Sequence, residues 1–305
     1  MEIHQLQYVI EVAKHKHFTR AADEINVGQS TLSQQIAKLE GELGVKLFDR
    51  TSRTVHLTPA GIEFVQNAQQ ILAQIEALKQ CMNAHAGLFK GVLHIGTITS
   101  LANYNFGKMI ASFHNIYPGI SLNIIQEGSL KLIELLRSRE IDIAFLTLPP
   151  STEYEDLNFY HLANDEYVLV TGDKHPFAGK KVIDLAEAHN ENFIFQKKNQ
   201  SMYAICMKAC NKAGFHPKIL CHSSGASISF GLISEGLGIG FFPIRDMKTF
   251  RISGLASIKL REPLIKNIML TTLKPAMYAP SINVFYQHAI KWIGCIQNNS
   301  HTLHP

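Results

Sequence analysis

Apolar residues step along the first sixty positions at intervals of three and four, with polar residues collected between them. Leu6, Val9, Ile10 and Ala13 predict an opening helix. Thr19, after Phe18, can cap a short second helix through Ala21, Ala22 and Ile25. Val27 and Gly28 read as a turn, Gly28 supplying backbone freedom, and a third helix follows over about residues 29–43. Leu32, Ile36, Leu39 and Leu43 fall on one stripe of that helix and are its expected core, while Ser30, Ser33, Gln34 and Ala37 fall on the opposite one. Leu47-Phe48-Asp49-Arg50, a cationic turn with Arg53, and Val55-His56-Leu57 then read as strand, turn and strand. The pattern over residues 1–58 is that of a winged helix-turn-helix, mainly α.

The polar face of the third helix suits base edges. Glutamine can pair bidentately with adenine, and serine can donate or accept at several bases, so Gln29, Ser30, Ser33 and Gln34 are the candidate readers. Thr31 and Lys38 on the same helix, Arg20 on the preceding one, and Arg50 and Arg53 in the wing complete the candidate DNA-contact set. A solvated helix face would look the same in isolation; the wing beside it favours the DNA reading. Charge alone does not, since residues 1–60 hold seven Lys or Arg against seven Asp or Glu and the whole chain carries only +4. Affinity must come from placement, with Arg20, Lys46, Arg50 and Arg53 gathered near phosphates and Glu2, Glu11 and Glu24 turned elsewhere.

A long helix is expected next, over 59–89 with its hinge. Thr58 is a good N-cap and Pro59 fits the first helical position. Val65, Ala68, Leu72, Ile75 and Met82 step by threes and fours, broken only by Lys79, and predict a dimerisation seam; the alternative packs the same stripe on its own domain. Residues 86–91 read as a linker. Beyond it strands (92–98, 120–125, 141–146) alternate with helices (101–117, 130–139), a doubly wound half. A second half carries strands near 167–170, 193–195, 219–221 and 238–242 and helices near 202–213 and 226–235, while 268–272 and a terminal helix over 282–296 return to the first half. The expected domain over 90–305 thus has one subdomain from about 90–161 and 266–305 and another from about 162–265, with a cleft between them.

The run AADEINVGQSTLSQQIAKLEGELGVKLFDRTSRTVHLTPAG, residues 21–61, resembles the signature of LysR-type transcriptional regulators. Two departures stand out: Gly28 where such proteins often carry a capping Ser or Thr, and Gln34 where many carry Arg, which should shift base preference. The resemblance implies a periplasmic-binding-protein-like (type 2) effector domain that holds a small-molecule inducer. Carried over by position, the implied contacts are Thr99, Ser100, Ser129 and Thr147 in the first half and Gln196, Lys197 and Ser201 in the second. Ser129 and Ser100 could instead only cap helices, and Lys197 could be solvated. Hydroxyls and amides at helix N-termini beside an ammonium favour a carboxylate or another small anion. The resemblance further implies a dimer paired through the long helix, a tetramer through the large domain, an imperfectly palindromic operator in double-stranded DNA, and RNA polymerase as a candidate partner.

The remaining chemistry narrows the field. Cys81, Cys206, Cys210, Cys221 and Cys295 show no zinc spacing, and the odd number suits a reducing cytosol. A redox-responsive regulator using Cys206 and Cys210 is the minor alternative, weakened because two residues four apart on a helix lie too far apart for an unstrained disulfide. Fifteen histidines, among them His4, His15, His17 and His56, form no recognised ligand pattern. The run 236–243 lacks the context of a dinucleotide loop and reads as a tight turn into a buried strand. No nucleophile, base and orienting acid stand at motif spacing, so neither an enzyme nor a cofactor is expected. The chain shows no export signal and no apolar run near the ~18 residues of a membrane span, so a cytoplasmic protein rather than a secreted solute-binding one is expected.

Overall fold

A computed structural model of the 305-residue chain describes residues 1–50, 55–85, 89–148, 154–198, 201–223, 225–250, 252–274 and 279–300. Two compact units emerge, Met1–Phe89 and Lys90–Ala276 with Ser281–Pro305.

In the first unit α1 (Ile3–His15) opens with a reciprocal cap in which the Glu2 N–H donates to the Gln5 side chain at 2.8 Å. Helix α2 (Phe18–Glu24) starts before Thr19, so His17 rather than Thr19 takes the cap position, and without a side-chain bond. The turn into α3 (Gln29–Leu43) does not use the freedom expected of Gly28, whose φ of −66° and ψ of 137° any residue can adopt. Asn26, at φ 55°, takes the left-handed position instead. Val9, Val12, Leu32, Ile36 and Leu39 form the core with Leu47 and Phe48. Leu43, expected on the same stripe, is 40% exposed, and Glu40 is buried in its stead. The reason is geometric: the chain turns back over Glu40 into β1 (Phe48–Arg50), which pairs antiparallel with β2 (Val55–Leu57), Phe48 opposite Leu57 and Arg50 opposite Val55.

Helix α4 (Pro59–His85) runs 27 residues, about 40 Å at 1.5 Å per residue. Thr58 caps it as expected, its Oγ1 accepting from the Gly61 N–H at 2.9 Å and donating to the Lys46 carbonyl at 2.7 Å. A side chain at Gly61 would place its Cβ 2.0 Å from the Leu47 carbonyl oxygen, so only glycine lets the helix start against the wing. Of the predicted seam of α4, Val65 packs beside Phe64 on the winged core, Ala68 is buried, Leu72 and Ile75 are half-buried and Met82 is exposed; Ile71 and Leu78, outside that seam, are exposed as well.

In the second unit β3 (Gly91–Thr97) lies parallel between β4 (Ile120–Gln126) and β5 (Ile143–Leu146), connected by α5 (Phe106–Ile116) and α6 (Ser129–Arg137). The helix expected over 101–117 is broken: a 3-10 turn over Thr99–Tyr104 ends at left-handed Asn105 before α5 begins. Two long strands, β6 (Leu157–Gly172) and β11 (Leu255–Leu273), pair antiparallel from Leu157 opposite Leu273 to Gly172 opposite Leu255, with an irregularity between Lys259 and Leu264. The short strands expected at 167–170 and 268–272 are segments of this ribbon, which joins two lobes.

Beyond it the second lobe holds β7 (Val182–Ile183), β8 (Asn192–Gln196), α7 (Ser201–Lys212), β9 (Lys218–Ser223), α8 (Ala226–Ser234), β10 (Gly240–Pro243) and α9 (Ile244–Phe250). The run 236–243 is indeed a turn, with Gly236 at φ 77°, leading into the fully buried β10. Each lobe has its own core, Phe113, Phe145 and Phe285 in the first and Phe193, Phe195 and Phe241 in the second. Phe285 belongs to α10 (Pro280–Ser300), which returns to the first lobe. Among the described residues no helix is long and apolar enough to cross a membrane.

Candidate functional site

Two surfaces carry chemistry. On α3 the outward face presents Gln29, Ser30, Thr31, Gln34 and Lys38 to solvent, with Ser33 half-buried at its margin and exposed Arg20 nearby in the chain on α2. The inward face is held by Glu40, whose Oε1 accepts from the Leu47 and Phe48 N–H groups at 2.9 and 3.3 Å and whose Oε2 takes the Lys46 ammonium at 2.9 Å. Burial pushes this carboxyl up, but the bonds from Lys46, Leu47 and Phe48 outweigh it, and Glu40 ionises below its usual range. The effect is to fix the wing to the helix. Lys46, expected near phosphates, is therefore engaged with Glu40 through its ammonium. A second tie comes from Gln5, fully buried, whose amide donates to the Gln35 side chain at 3.1 Å and locks α1 to α3.

The other surface is a cleft of about 490 Å³ between the two lobes of the second unit. The first lobe contributes Thr99 and Ser100 in the 3-10 turn, Ser129 at the first turn of α6, and Thr147 just past β5. Ser129 does not act as the helix cap, since Gly128 holds that position; its Oγ accepts from the Thr147 N–H at 3.1 Å and joins α6 to the end of β5. The Thr147 hydroxyl is buried and has no hydrogen-bond partner among the described residues, an arrangement that favours a bound polar group. From the second lobe come Gln196, Met202, Ser223, Ser229 and Asp246.

Among the described residues three charged ones line the cleft, Glu127, Asp246 and Lys266, and further polar groups stand beside Lys266 without lining it. Lys266 on β11, 4% exposed, stands opposite Asp165 on β6 and donates to the Ser100 hydroxyl. Asp165 in turn accepts from the Tyr104 hydroxyl at 2.5 Å, and the Arg245 guanidinium lies 4.7 Å from the centre of the Tyr104 ring. Burial draws the Lys266 ammonium down to about 8, with Asp246 and Asp165 opposing the shift. Burial likewise pushes the Asp165 carboxyl up, against Tyr104, Arg245 and Lys266.

The chain matches the family model described as "Bacterial regulatory helix-turn-helix protein, lysR family" over residues 3–62 and that of the "LysR substrate binding domain" over residues 86–293. The chain belongs to the LysR family of transcriptional regulators. It is 31% identical over 299 residues to the transcriptional dual regulator GltC of Bacillus subtilis strain 168, covering 97% of this chain and 99% of that protein. It is 30% identical over 243 residues to the hydrogen peroxide-inducible genes activator of Escherichia coli O157:H7, covering 80% and 79% of the two chains. A full-length OxyR variant from Pseudomonas aeruginosa shares the fold, with a TM-score of 0.74 at 22% identity over 96% of this chain and 94% of that one.

As a LysR-family chain this is a DNA-binding transcriptional regulator with an effector-binding domain, not an enzyme. Of the positions implied by the family resemblance, Thr99, Ser100, Ser129, Thr147 and Gln196 line the cleft. Lys197 does not; it is exposed, and the ammonium in the cleft belongs to Lys266 instead. Ser201 opens α7 with its side chain outside the described residues, although its neighbour Met202 lines the cleft. Arg50 ends β1, but its side chain is outside the described residues, and Arg53 lies wholly outside them, as does the linker over 86–88. Sequence reasoning missed Lys266, Asp165, Asp246, Tyr104 and Glu40. A usable signal existed for two of them: Lys266 falls in phase with buried Ile268 and Leu270 on β11, and Asp165 with buried Tyr167 and Leu169 on β6.

Proposed function

We propose that this regulator reads an imperfectly palindromic operator through the exposed face of α3, and that a small molecule bearing a carboxylate or similar acidic group, held in the cleft, alters operator binding or DNA bending. The observation that carries the cleft half of this reading is the convergence of Ser100, Ser129, the buried Thr147 hydroxyl and the buried Lys266 ammonium on one cavity. For the DNA half, Gln29, Ser30, Thr31, Ser33 and Gln34 would meet base edges while Arg20, Lys38, Arg50 and Arg53 meet phosphates. Exposed Ile71, Leu78 and Met82 are spaced by seven and four along α4, a seam suited to a second copy of the chain. Dimerisation through α4 would present two recognition helices, with assembly to a tetramer through the effector unit and contact with RNA polymerase as further parts of the reading.

The redox alternative is disfavoured by the surroundings of its two cysteines. Cys206 and Cys210 are buried, and burial pushes both thiols up, Cys210 to about 12, so neither presents the reactive thiolate. The regulatory reading is tested by replacing Ser33 and Gln34 together with alanine. Operator affinity should fall by about 10- to 100-fold, at roughly 1–3 kcal/mol per base-reading pair, while cleft ligands bind as before. Unaltered discrimination between operator and random DNA would remove α3 as the reading helix.

A further inference from the structure

Among the lysines of the described residues, Lys266 alone lines the cleft, and it enters on β11, a strand that passes from one lobe to the other. Its side chain is almost fully buried and donates to the Ser100 hydroxyl. Asp246, which also lines the cleft, acts on the ammonium more strongly than Asp165, which stands opposite on β6 and is held by the Tyr104 hydroxyl at 2.5 Å. Glu127, the third charged residue of the cleft, is exposed, and Arg245 lies over the Tyr104 ring. Despite the two nearby carboxylates, burial draws the ammonium down to about 8. At about pH 7.5 roughly a quarter of such an amine carries a free lone pair, against about one part in a thousand for a lysine at the ordinary 10.5. A group that only paired an anion would gain by staying charged, and one that only joined two strands could be apolar at no loss. A desolvated amine facing a ligand cavity is the setting of a nucleophile.

We propose that Lys266 captures the effector covalently as an imine, so that the effector is a 2-oxo acid or another acid carrying an aldehyde or ketone. This rests on the reading of the cleft as an effector site. The step balances with the groups present. Lys266 passes a proton to the Asp246 carboxylate, its lone pair bonds to the carbonyl carbon, and the π pair of the carbonyl moves to oxygen. A proton from the nitrogen then goes to that oxygen, giving the carbinolamine. Asp246 returns its proton to the hydroxyl, the C–O bond breaks, water leaves, and the nitrogen lone pair closes the C=N bond. The iminium product carries the same charge as the ammonium it replaces, so Asp246 and Asp165 keep their counter-ion, which an uncharged product would remove. Ser100, accepting from Lys266, retains its own O–H for the carboxylate of the ligand. Ile98, Phe242 and Phe250 line an apolar part of the cavity for the rest of the molecule. Capture fastens the ligand to a strand that both lobes share, and so supplies a contact that differs between lobe arrangements, as a signal to the DNA-binding unit requires.

The test is reductive trapping on the full chain at about pH 7.5. Glyoxylate, the straight-chain 2-oxo acids, phenylpyruvate and the 2-oxo dicarboxylates are each added with sodium cyanoborohydride, and the intact mass is read. At least one should give a single adduct, heavier by the mass of the oxo acid less one oxygen atom, which peptide mapping places on Lys266. Lys266→Arg keeps a cation but offers no free amine, and should lose that adduct while thermal melts show it folded. Titration calorimetry without the reductant adds the 2-hydroxy acids of the same skeletons, aromatic acids and plain dicarboxylates. The trapped oxo acid should bind about 10- to 100-fold more tightly than its 2-hydroxy acid, and Lys266→Arg should erase that preference. A compound that binds in calorimetry while no oxo acid is trapped on Lys266 overturns the imine and leaves the effector reading standing. Silence from every compound in both measurements overturns both.

Discussion

The DNA-binding unit and the effector unit are stabilised by different kinds of contact, and the difference governs what a sequence reveals. In the first, neighbours along the chain supply most of the ties: Thr58 caps α4 three residues before Gly61, and Glu40 binds Lys46, Leu47 and Phe48, six to eight residues on. In the second, the pair at the floor of the cleft, Lys266 with Ser100, joins positions 166 residues apart. A mutation in the first unit therefore acts mainly on local stability, whereas one in the cleft acts on a balance of charges supplied by distant strands.

Gly61 is where the two units should part most clearly. Gly61→Ala would drive a methyl group into the Leu47 carbonyl and should destabilise the winged unit by about 2–3 kcal/mol, the range of a forced overpacking. Chemical denaturation of the full chain should show an earlier loss of operator binding, with cleft-ligand binding unchanged. Parallel loss of both would show that the two units do not behave separately.

Next in size is Lys266→Met. Because burial holds the Lys266 ammonium near 8, below the ordinary 10.5, the unfolded chain holds more protons than the folded one between those values. Stability from this group therefore rises with pH across about 8 to 10.5, by roughly 1–3 kcal/mol. The methionine variant should lack that rise when the two proteins are compared by urea denaturation at each pH. An identical slope in both would mean that Lys266 is not charged and buried.

Glu40 has the opposite sign. Its carboxyl is held below the usual value, so its contribution is present above about pH 4.5 and is lost as the pH falls through its depressed folded value. Glu40→Gln should cost about 1–2 kcal/mol at neutral pH, the scale of a lost charge-assisted hydrogen bond, and should flatten the acid limb of the stability profile. Gly28→Ser should change least, since it supplies a cap where the nearest side-chain atoms leave space, Thr31 Oγ1 at 3.5 Å. A gain of about a few tenths of a kcal/mol in the melting of the winged unit should follow.

These differences also explain what could be read in advance. The helices α1 to α4 and the wing follow from a three-to-four residue period, one capping threonine and one proline, all local signals. Local signals misled where tertiary packing took over. Leu43 continues the stripe of Leu32, Ile36 and Leu39 yet is exposed, because the returning chain covers Glu40 instead. Val65 and Ala68 fit a dimer seam yet pack inward. In the effector unit the alternation of strands and helices gave the layered architecture, while the length of β6 and β11 was hidden because each strand passes from one lobe to the other and changes its pattern of burial on the way. Of the residues carried over by family position, Thr99, Ser100, Ser129 and Thr147 line the first-lobe side of the cleft. Lys197 does not line it, although it follows a cleft-lining glutamine in the sequence, whereas Lys266 enters from a crossing strand far along the chain.

Regulation by a small molecule requires that the cleft and the operator be coupled. The direct measurement is a footprint of the purified full chain on the DNA upstream of its own gene, with and without the compound that calorimetry identifies as a cleft ligand. A protected imperfect palindrome whose extent shortens or shifts when that compound is added is the predicted result. Protection that stays the same while the cleft is demonstrably filled would contradict it.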